Sequence, residues 1–163
     1  MVKQGKIDGV KISKLKVYKD RPDLKQDVKP GIFIEVLRDS DKLLRHFAQS
    51  NFAVDRQGSI KAFHYHKYQD DLWFFASGKV VIVLYDQRKK SPTYGQTQVI
   101  RAGEDDYKLV LIPIGVAHGY KVISKEPSML FYHVTKEYNR EKPDEQRIDP
   151  FDKEIGVDWK KIK

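Results

Sequence analysis

Gly58 to Gly78, GSIKAFHYHKYQDDLWFFASG, decides how the rest of the chain is read. Ser59 to His66 is rich in β-branched, aromatic and histidine residues, the composition of a strand. His64 and His66 are one residue apart, so a strand sends both to one face. Asp70 and Asp71 follow, and then an apolar run. Leu72 to Ala76 and Lys79 to Tyr85 flank Ser77-Gly78, which predicts a hairpin turn. Both runs are apolar on both faces. That predicts burial between two sheets, or one face against a partner subunit.

Upstream, Gly31 to Leu37 is β-rich and follows Pro30, so it reads as a strand. Lys11 to Lys29 is polar and broken by Pro22, a short strand followed by an irregular segment. Asp39 to Lys42 reads as a turn, and Leu43 to Ala48 as a helical turn or a strand. Downstream, Gln96 to Arg101, Leu109 to Ile112, Tyr120 to Ile123 and Met129 to Val134 are further short strands. Pro92, Gly95, Gly103, Pro113, Gly115 and Pro127 punctuate them. Such a series predicts an antiparallel sandwich or barrel. The chain then turns polar, TKEYNREKPDEQ, before a compact tail from Arg147 to Trp159. Ile148, Phe151, Ile155, Val157 and Trp159 give that tail an apolar side, so it is expected to pack back on the barrel.

At 163 residues, one domain with a sizeable core is the simplest organisation. Residues 1–50 are expected to supply N-terminal strands against a partner subunit, 51–135 the barrel core and 136–163 the tail. Hydrophobic residues make up 40% and charged residues 33%, which argues against wholesale disorder. No apolar run reaches the roughly 20 residues that span a bilayer, so no membrane partner is expected. There is no cysteine, which excludes disulfide and thiolate chemistry; the cytoplasm is the default location. The net charge of +8 is scattered, and no nucleic-acid motif gathers it. An anionic small molecule suits it better than a nucleic acid.

His64, His66, His118 and His133 fall on the expected strands or their rims; His46, in an apolar surround, reads as a packing residue. The spacing of Gly58, His64, His66, Asp71 and Gly78 resembles the first cupin motif, and Pro113-x-Gly115-x-x-His118 resembles the second. Metal-binding cupins use such a set, here His64, His66, Asp71 and His118, for one divalent ion. Imidazole with carboxylate suits Zn, Fe, Ni or Mn.

A longer resemblance runs in order from about Gly9 to Trp159. Gly31-x-Phe33-x-Glu35, Gln49-x-Asn51, Lys61-Ala-Phe-His64-Tyr65, Asp86-x-Arg88-x-x-Ser91-Pro92-Thr93-Tyr94-Gly95, Ile112-Pro113-x-Gly115-x-Ala117-His118-Gly119, Phe131-Tyr132 and Ile155-Gly156-Val157-Asp158-Trp159 resemble the dTDP-4-dehydrorhamnose 3,5-epimerase family. The resemblance implies an all-β cupin jelly-roll barrel with short helical or irregular terminal segments. It implies a homodimer, a nucleotide-linked 4-keto-6-deoxysugar as substrate, and no cofactor. The ketone acidifies its neighbouring C–H bonds, so a base removes a proton and an acid returns one on the opposite face. By resemblance His64 is the base, Asp152 its orienter and Tyr132 the acid. Lys61, Gln49, Asn51, Arg88, His118 and Tyr138 bind substrate, and Phe33 and Glu35 reach a neighbouring subunit's site.

Read alone, each residue has a plainer role. Tyr132 is a buried tyrosine satisfying its hydroxyl, Asp152 caps a turn, and Arg88 is solvated beside Lys89 and Lys90. Regular alternation puts Lys61 on the face opposite His64. The family glycine between them, which would permit a bulge, is Ala62 here. Other departures stand in the site itself. Asp71 replaces a family lysine expected to stabilise the enolate oxygen, and His66 replaces a glutamine. Pro30 and Lys61 each replace an arginine, and His133 a lysine. Those at 66 and 71 complete the metal set. The alternatives are therefore a metal-dependent cupin with His64, His66, Asp71 and His118 as ligands, or a sugar- or nucleotide-binding cupin without catalysis.

Overall fold

A computed structural model describes residues 3–19 and 31–163. The segment expected to be irregular, and Pro30, lie outside the described residues. Within them the strands are β1 (Lys3–Gln4), β2 (Lys11–Lys14), β3 (Tyr18–Lys19), β4 (Ile32–Phe33), β5 (Gln49–Asp55), β6 (Ile60–His66), β7 (Asp71–Ser77), β8 (Lys79–Asp86), β9 (Gln96–Gly103), β10 (Lys108–Ile112), β11 (Val116–Val122), β12 (Ser128–Val134) and β13 (Glu145–Arg147). A single 3-10 turn covers Asp39–Asp41. Leu43 to Ala48 forms neither helix nor strand. Among the described residues no helix is long and apolar enough to cross a membrane.

The strands form two facing sheets, ordered β1-β9-β8-β11-β6-β13 and β2-β10-β7-β12-β5, with β3 and β4 as a separate pair. All pairings are antiparallel except β1 with β9. This is the expected cupin jelly roll. One expectation within it fails: Ser77-Gly78 does not close a hairpin. β7 pairs with β10 and β12, whereas β8 pairs with β9 and β11, so the chain changes sheet at Gly78. Gly78 has φ +67°, and a Cβ there would lie 2.8 Å from the Pro127 carbonyl oxygen and the Ser128 Cα. Only glycine fits both the turn and that close approach.

The two-sided apolarity of β7 and β8 follows from their central places. Trp73, Phe75, Ile82 and Leu84 point between the sheets and build the main core with Ile112, Val116 and Leu130. The outer face of β8 carries Val81, Val83 and Tyr85, covered by Ile155 and Trp159 of the C-terminal tail. The outer face of β7 carries Leu72 and Phe74, covered by Ile34, Val36, Leu43 and Leu44 of the N-terminal segment. The chain thus covers both outer faces itself at these strands.

Two local devices fix the strands and their connections. The first is a knot in the β8–β9 loop. Asp86 is fully buried and accepts hydrogen bonds from Arg88 Nε and Nη2, each at 2.8 Å, from Ser91 Oγ at 2.5 Å and from Thr93 Oγ1 at 2.6 Å. Arg88 Nη2 also donates to the Asp8 carbonyl at 2.7 Å. The Asp86 to Gly95 motif is therefore explained by loop closure. The structure ties the Arg88 guanidinium to Asp86 in this loop, and Arg88 does not line the cavity described below.

The second device is a bulge. His64 stands opposite His118, but Lys61 stands opposite Tyr120, so three residues of β6 face two of β11. The extra residue reverses the alternation and returns Lys61 to the side of His64. Room comes from the opposite strand, since a Cβ on Gly119 would lie 2.4 Å from Ala62 Cβ and 2.7 Å from the Lys61 carbonyl oxygen.

Burial pushes the Asp86 pKa up, but hydrogen bonds from Arg88, Ser91 and Thr93 outweigh it and hold it below the usual carboxylate range. A depressed carboxyl stabilises the fold above its unfolded pKa and loses this as pH falls through the folded value. Arg88→Ala leaves the carboxylate buried without its cation, and should cost about 3–5 kcal/mol in urea unfolding. Its acid-unfolding midpoint should also move to higher pH; unchanged unfolding in both assays refutes the assignment. Gly119→Ala should cost about 1–3 kcal/mol by overpacking. Adding Ala62→Gly should restore part of the loss, and no recovery in the double variant would locate the clash elsewhere.

Candidate active site

At the β6–β5 end the two sheets enclose a cavity of about 920 Å³. The six-stranded sheet contributes Lys61, His64 and His66, and the five-stranded sheet contributes Gln49, Asn51, Asp71, Trp73 and Tyr132. The segment after β12 adds Lys136, Tyr138, Lys142, Asp144, Glu145, Arg147 and Asp149. Inward placement follows from strand period. Gln49, Asn51 and Ala53 alternate with the exposed Ser50, Phe52 and Val54 along β5.

Lys61 Nζ lies 2.8 Å from Asp55 Oδ1, and Tyr120 donates to Asp55 Oδ2 at 2.5 Å. The ammonium is thus held at the cavity wall. Gln49 Nε2 donates to Asn51 Oδ1 at 2.5 Å, and Gln49 Oε1 accepts from the Tyr138 N–H at 2.9 Å. Gln49 therefore ties β5 to the polar segment.

His64, His66 and His118 form one aromatic group, with ring centroids 4.2 Å apart for His64–His118 and 5.3 Å for His64–His66. Asp71 faces them from β7, and one ligand atom from each of the four residues lies within 4.8 Å of the others. Asp71 accepts from Gln69 Nε2 at 2.7 Å and from Trp73 Nε1 at 3.1 Å. His66, Asp71 and His118 are buried, while His64 is half-buried and lines the cavity; His118 stands behind the wall. Burial, followed by His118 and His66, lowers the His64 pKa to about 3, against the opposing pull of Asp71 and Glu145. Burial, followed by His66, lowers that of His118 to about 3. Both rings are therefore neutral at pH 7. Tyr132 lies across the cavity on the other sheet. Burial raises its pKa, with Asp71 and Glu145 adding to the shift, so the phenol keeps its proton.

The sequence-predicted residues divide. His64, Tyr132, Lys61, Gln49, Asn51 and Tyr138 share the cavity, with His118 behind it. Asp152 does not join them: among the described residues no hydrogen bond links it to His64. Its Oδ1 instead accepts from the Glu154 N–H at 2.8 Å, capping a turn. The chain turns after Asp149 and Pro150, which do line the cavity, and carries Asp152 away from it. Phe33 and Glu35 also lie outside the cavity; Phe33 is 58% exposed beside Tyr18, and Glu35 lies 3.8 Å from Arg38. His46 is exposed and belongs to neither core nor cavity. Lys136, Lys142, Glu145 and Arg147 were not foreseen as lining residues. The first three have no sequence signal beyond the polar composition of TKEYNREKPDEQ, which has no periodicity to point it anywhere, and Arg147 follows directly after that stretch.

The chain was compared with known proteins. Residues 4–163 match the model of the family described as dTDP-4-dehydrorhamnose 3,5-epimerase. The spore coat polysaccharide biosynthesis protein SpsL of Bacillus subtilis is 47% identical over 153 residues, 94% of this chain and 96% of SpsL. The probable low-salt glycan biosynthesis epimerase Agl13 of Haloferax volcanii is 34% identical over 132 residues, 79% of this chain and 84% of Agl13. Among solved structures, the dTDP-6-deoxy-D-glucose-3,5-epimerase of Legionella pneumophila, in complex with dTDP-4-keto-L-rhamnose, is similar with a TM-score of 0.80. The two are 28% identical, over 98% of this chain and 82% of that one. By sequence along nearly its whole length and by fold, the chain belongs to the dTDP-4-dehydrorhamnose 3,5-epimerase family.

Proposed function

We propose that this protein epimerises a nucleotide-linked 4-keto-6-deoxysugar by moving protons next to the ketone, in the assembly of a deoxysugar or surface polysaccharide. The observation that carries the reading is the placement of His64 and Tyr132 on opposite walls of one cavity. Inversion at carbon needs that arrangement: one group takes the proton from one face and another returns a proton to the other. His64 is neutral and offers a lone pair, while Tyr132 is a protonated phenol. The C–H electron pair moves into the bond toward the carbonyl carbon, and the carbonyl pair moves onto oxygen. Reprotonation from Tyr132 reverses this flow at the opposite face. Lys61, Gln49 and Asn51 suit the hydroxyls and diphosphate of such a substrate. Lys136, Lys142 and Arg147 add positive charge at the rim. The names of SpsL and Agl13 support polysaccharide or glycan assembly, and the sugar nucleotide bound by the Legionella enzyme supports the substrate class.

A second inference concerns assembly. Phe52, Val54, Met129 and Phe131 form an exposed apolar strip on the outer face of β5 and β12, with Phe52 and Phe131 rings 4.7 Å apart. Among the described residues β5 is also a sheet edge with backbone groups open to pairing. A second copy of the chain would cover both, and would give Phe33 and Glu35 a neighbouring cavity to reach.

In deuterium oxide, solvent label should enter a dTDP-4-keto-6-deoxyhexose beside the ketone. His64→Asn should slow this by about 10²–10⁴-fold, the range for a lost general base. Tyr132→Phe should retain exchange while losing inversion. Absence of exchange with every 4-keto sugar nucleotide tried would falsify the reading. Light scattering on a size-exclusion column should give a dimer mass, and Phe52→Glu with Phe131→Glu should give a monomer; a wild-type monomer at all concentrations refutes the dimer.

A further inference from the structure

The base of the cavity holds an arrangement that proton transfer between His64 and Tyr132 does not use. His118 is 2% exposed, and its Nδ1 lies 2.9 Å from the Val116 carbonyl oxygen. A carbonyl only accepts, so Nδ1 carries the proton and Nε2 presents a lone pair. Among the described residues that Nε2 has no hydrogen-bond partner, and it lies 3.7 Å from Asp71 Oδ2. The other carboxylate oxygen, Oδ1, lies 3.7 Å from His66 Nε2. Both separations are too long for hydrogen bonds, and the polar neighbour of His66 Nε2 within that range is Gln69 Nε2, at 3.3 Å. The Asp71 carboxylate is itself 2% exposed and accepts hydrogen bonds from Gln69 Nε2 and Trp73 Nε1.

A buried lone pair facing a buried carboxylate is repulsive unless positive charge stands between them. The spacing fits such a charge. Metal–nitrogen and metal–oxygen bonds of about 2.0–2.2 Å place neighbouring atoms of a tetrahedral shell about 3.4 Å apart. The observed 3.7 Å separations exceed this by a few tenths of an ångström. Two imidazoles and a carboxylate suit a divalent first-row transition ion.

We propose that His66, Asp71 and His118 hold one divalent transition-metal ion, with the half-buried His64 on its cavity side. Three protein ligands with one position open are the pattern of reactive metal centres, whereas structural ones are closed by four. This division leaves the His64 lone pair for the proton. The ion would face the ketone and offset charge on the developing enolate oxygen, which the Asp71 carboxylate alone would oppose. That role rests on the epimerase reading; ion binding does not.

The protein, stripped with a chelator, is titrated with Zn²⁺, Ni²⁺ and Mn²⁺ separately by calorimetry, and its melting is followed with each. At least one ion should bind at about one per chain and raise the melting temperature. Asp71→Asn and His118→Gln should each weaken binding beyond the roughly 100-fold that loss of a ligand's outer hydrogen-bond partner costs. His64→Asn should weaken it less than about tenfold, the lower end of that range. No binding at millimolar ion, or unchanged affinity in both ligand variants, overturns the site; an equal loss in His64→Asn overturns the three-ligand division. If a variant does not fold, the visible spectrum of the wild-type protein with Co²⁺ decides. Intense tetrahedral bands support the site, and a spectrum identical to aqueous Co²⁺ overturns it. Deuterium exchange without ion binding removes this inference and keeps the epimerase. Ion binding without exchange does the reverse.

Discussion

The site depends on the close approach of two backbones at Gly119 and Ala62. A methyl group on Gly119 would stand 2.4 Å from the Ala62 Cβ. Its absence lets three residues of β6 stand against two of β11, which resets the phase of the strand. With that step, Lys61, His64 and His66 all serve one cavity. Without it, Lys61 would point to the covered outer face, where Phe63 packs against Trp159. The Lys61 ammonium could not then reach Asp55, which in turn fixes the Tyr120 hydroxyl. A missing methyl on one strand therefore places a cation contributed by another.

The fold was legible because punctuation and alternation are local properties. Gly95, Gly103, Pro113 and Pro127 separate runs that become strands, and His64 and His66 share a face through the period of two. What failed was any property set by a distant partner. Ser77-Gly78 has the composition of a hairpin turn, but whether its flanking strands pair depends on β10, β11 and β12. The outward position predicted for Lys61 by alternation assumed a regular strand, and the bulge is set by Gly119, some sixty residues away. Arg88 beside Lys89 and Lys90 looked solvated or substrate-binding; nothing nearby in sequence says that Asp86 is buried. Asp152 and Asp149 are three residues apart in an irregular segment, where no periodicity distinguishes an acid facing the cavity from one capping a turn.

The two residues that depart from the family pattern at this site, His66 and Asp71, act together. Either alone would be a liability: a carboxylate in place of a lysine repels an enolate, and an added buried imidazole needs a partner. Together with His118 they make a wall that offers lone pairs at the place where the family resemblance implies a lysine cation. Gln69 and Trp73 stabilise the carboxylate without neutralising it. A carboxylate at this place leaves a demand for positive charge, since chemistry next to a ketone develops an anion there.

Burial then orders the cavity from rim to base. Lys136, Lys142 and Arg147 are exposed at the rim, His64 and Tyr132 are half-buried, and His66, Asp71 and His118 are buried. Charges at the rim act through solvent and are screened, so they attract an anion without holding it rigidly. Charges at the base act through a lower dielectric, where a misplaced sign is far more costly.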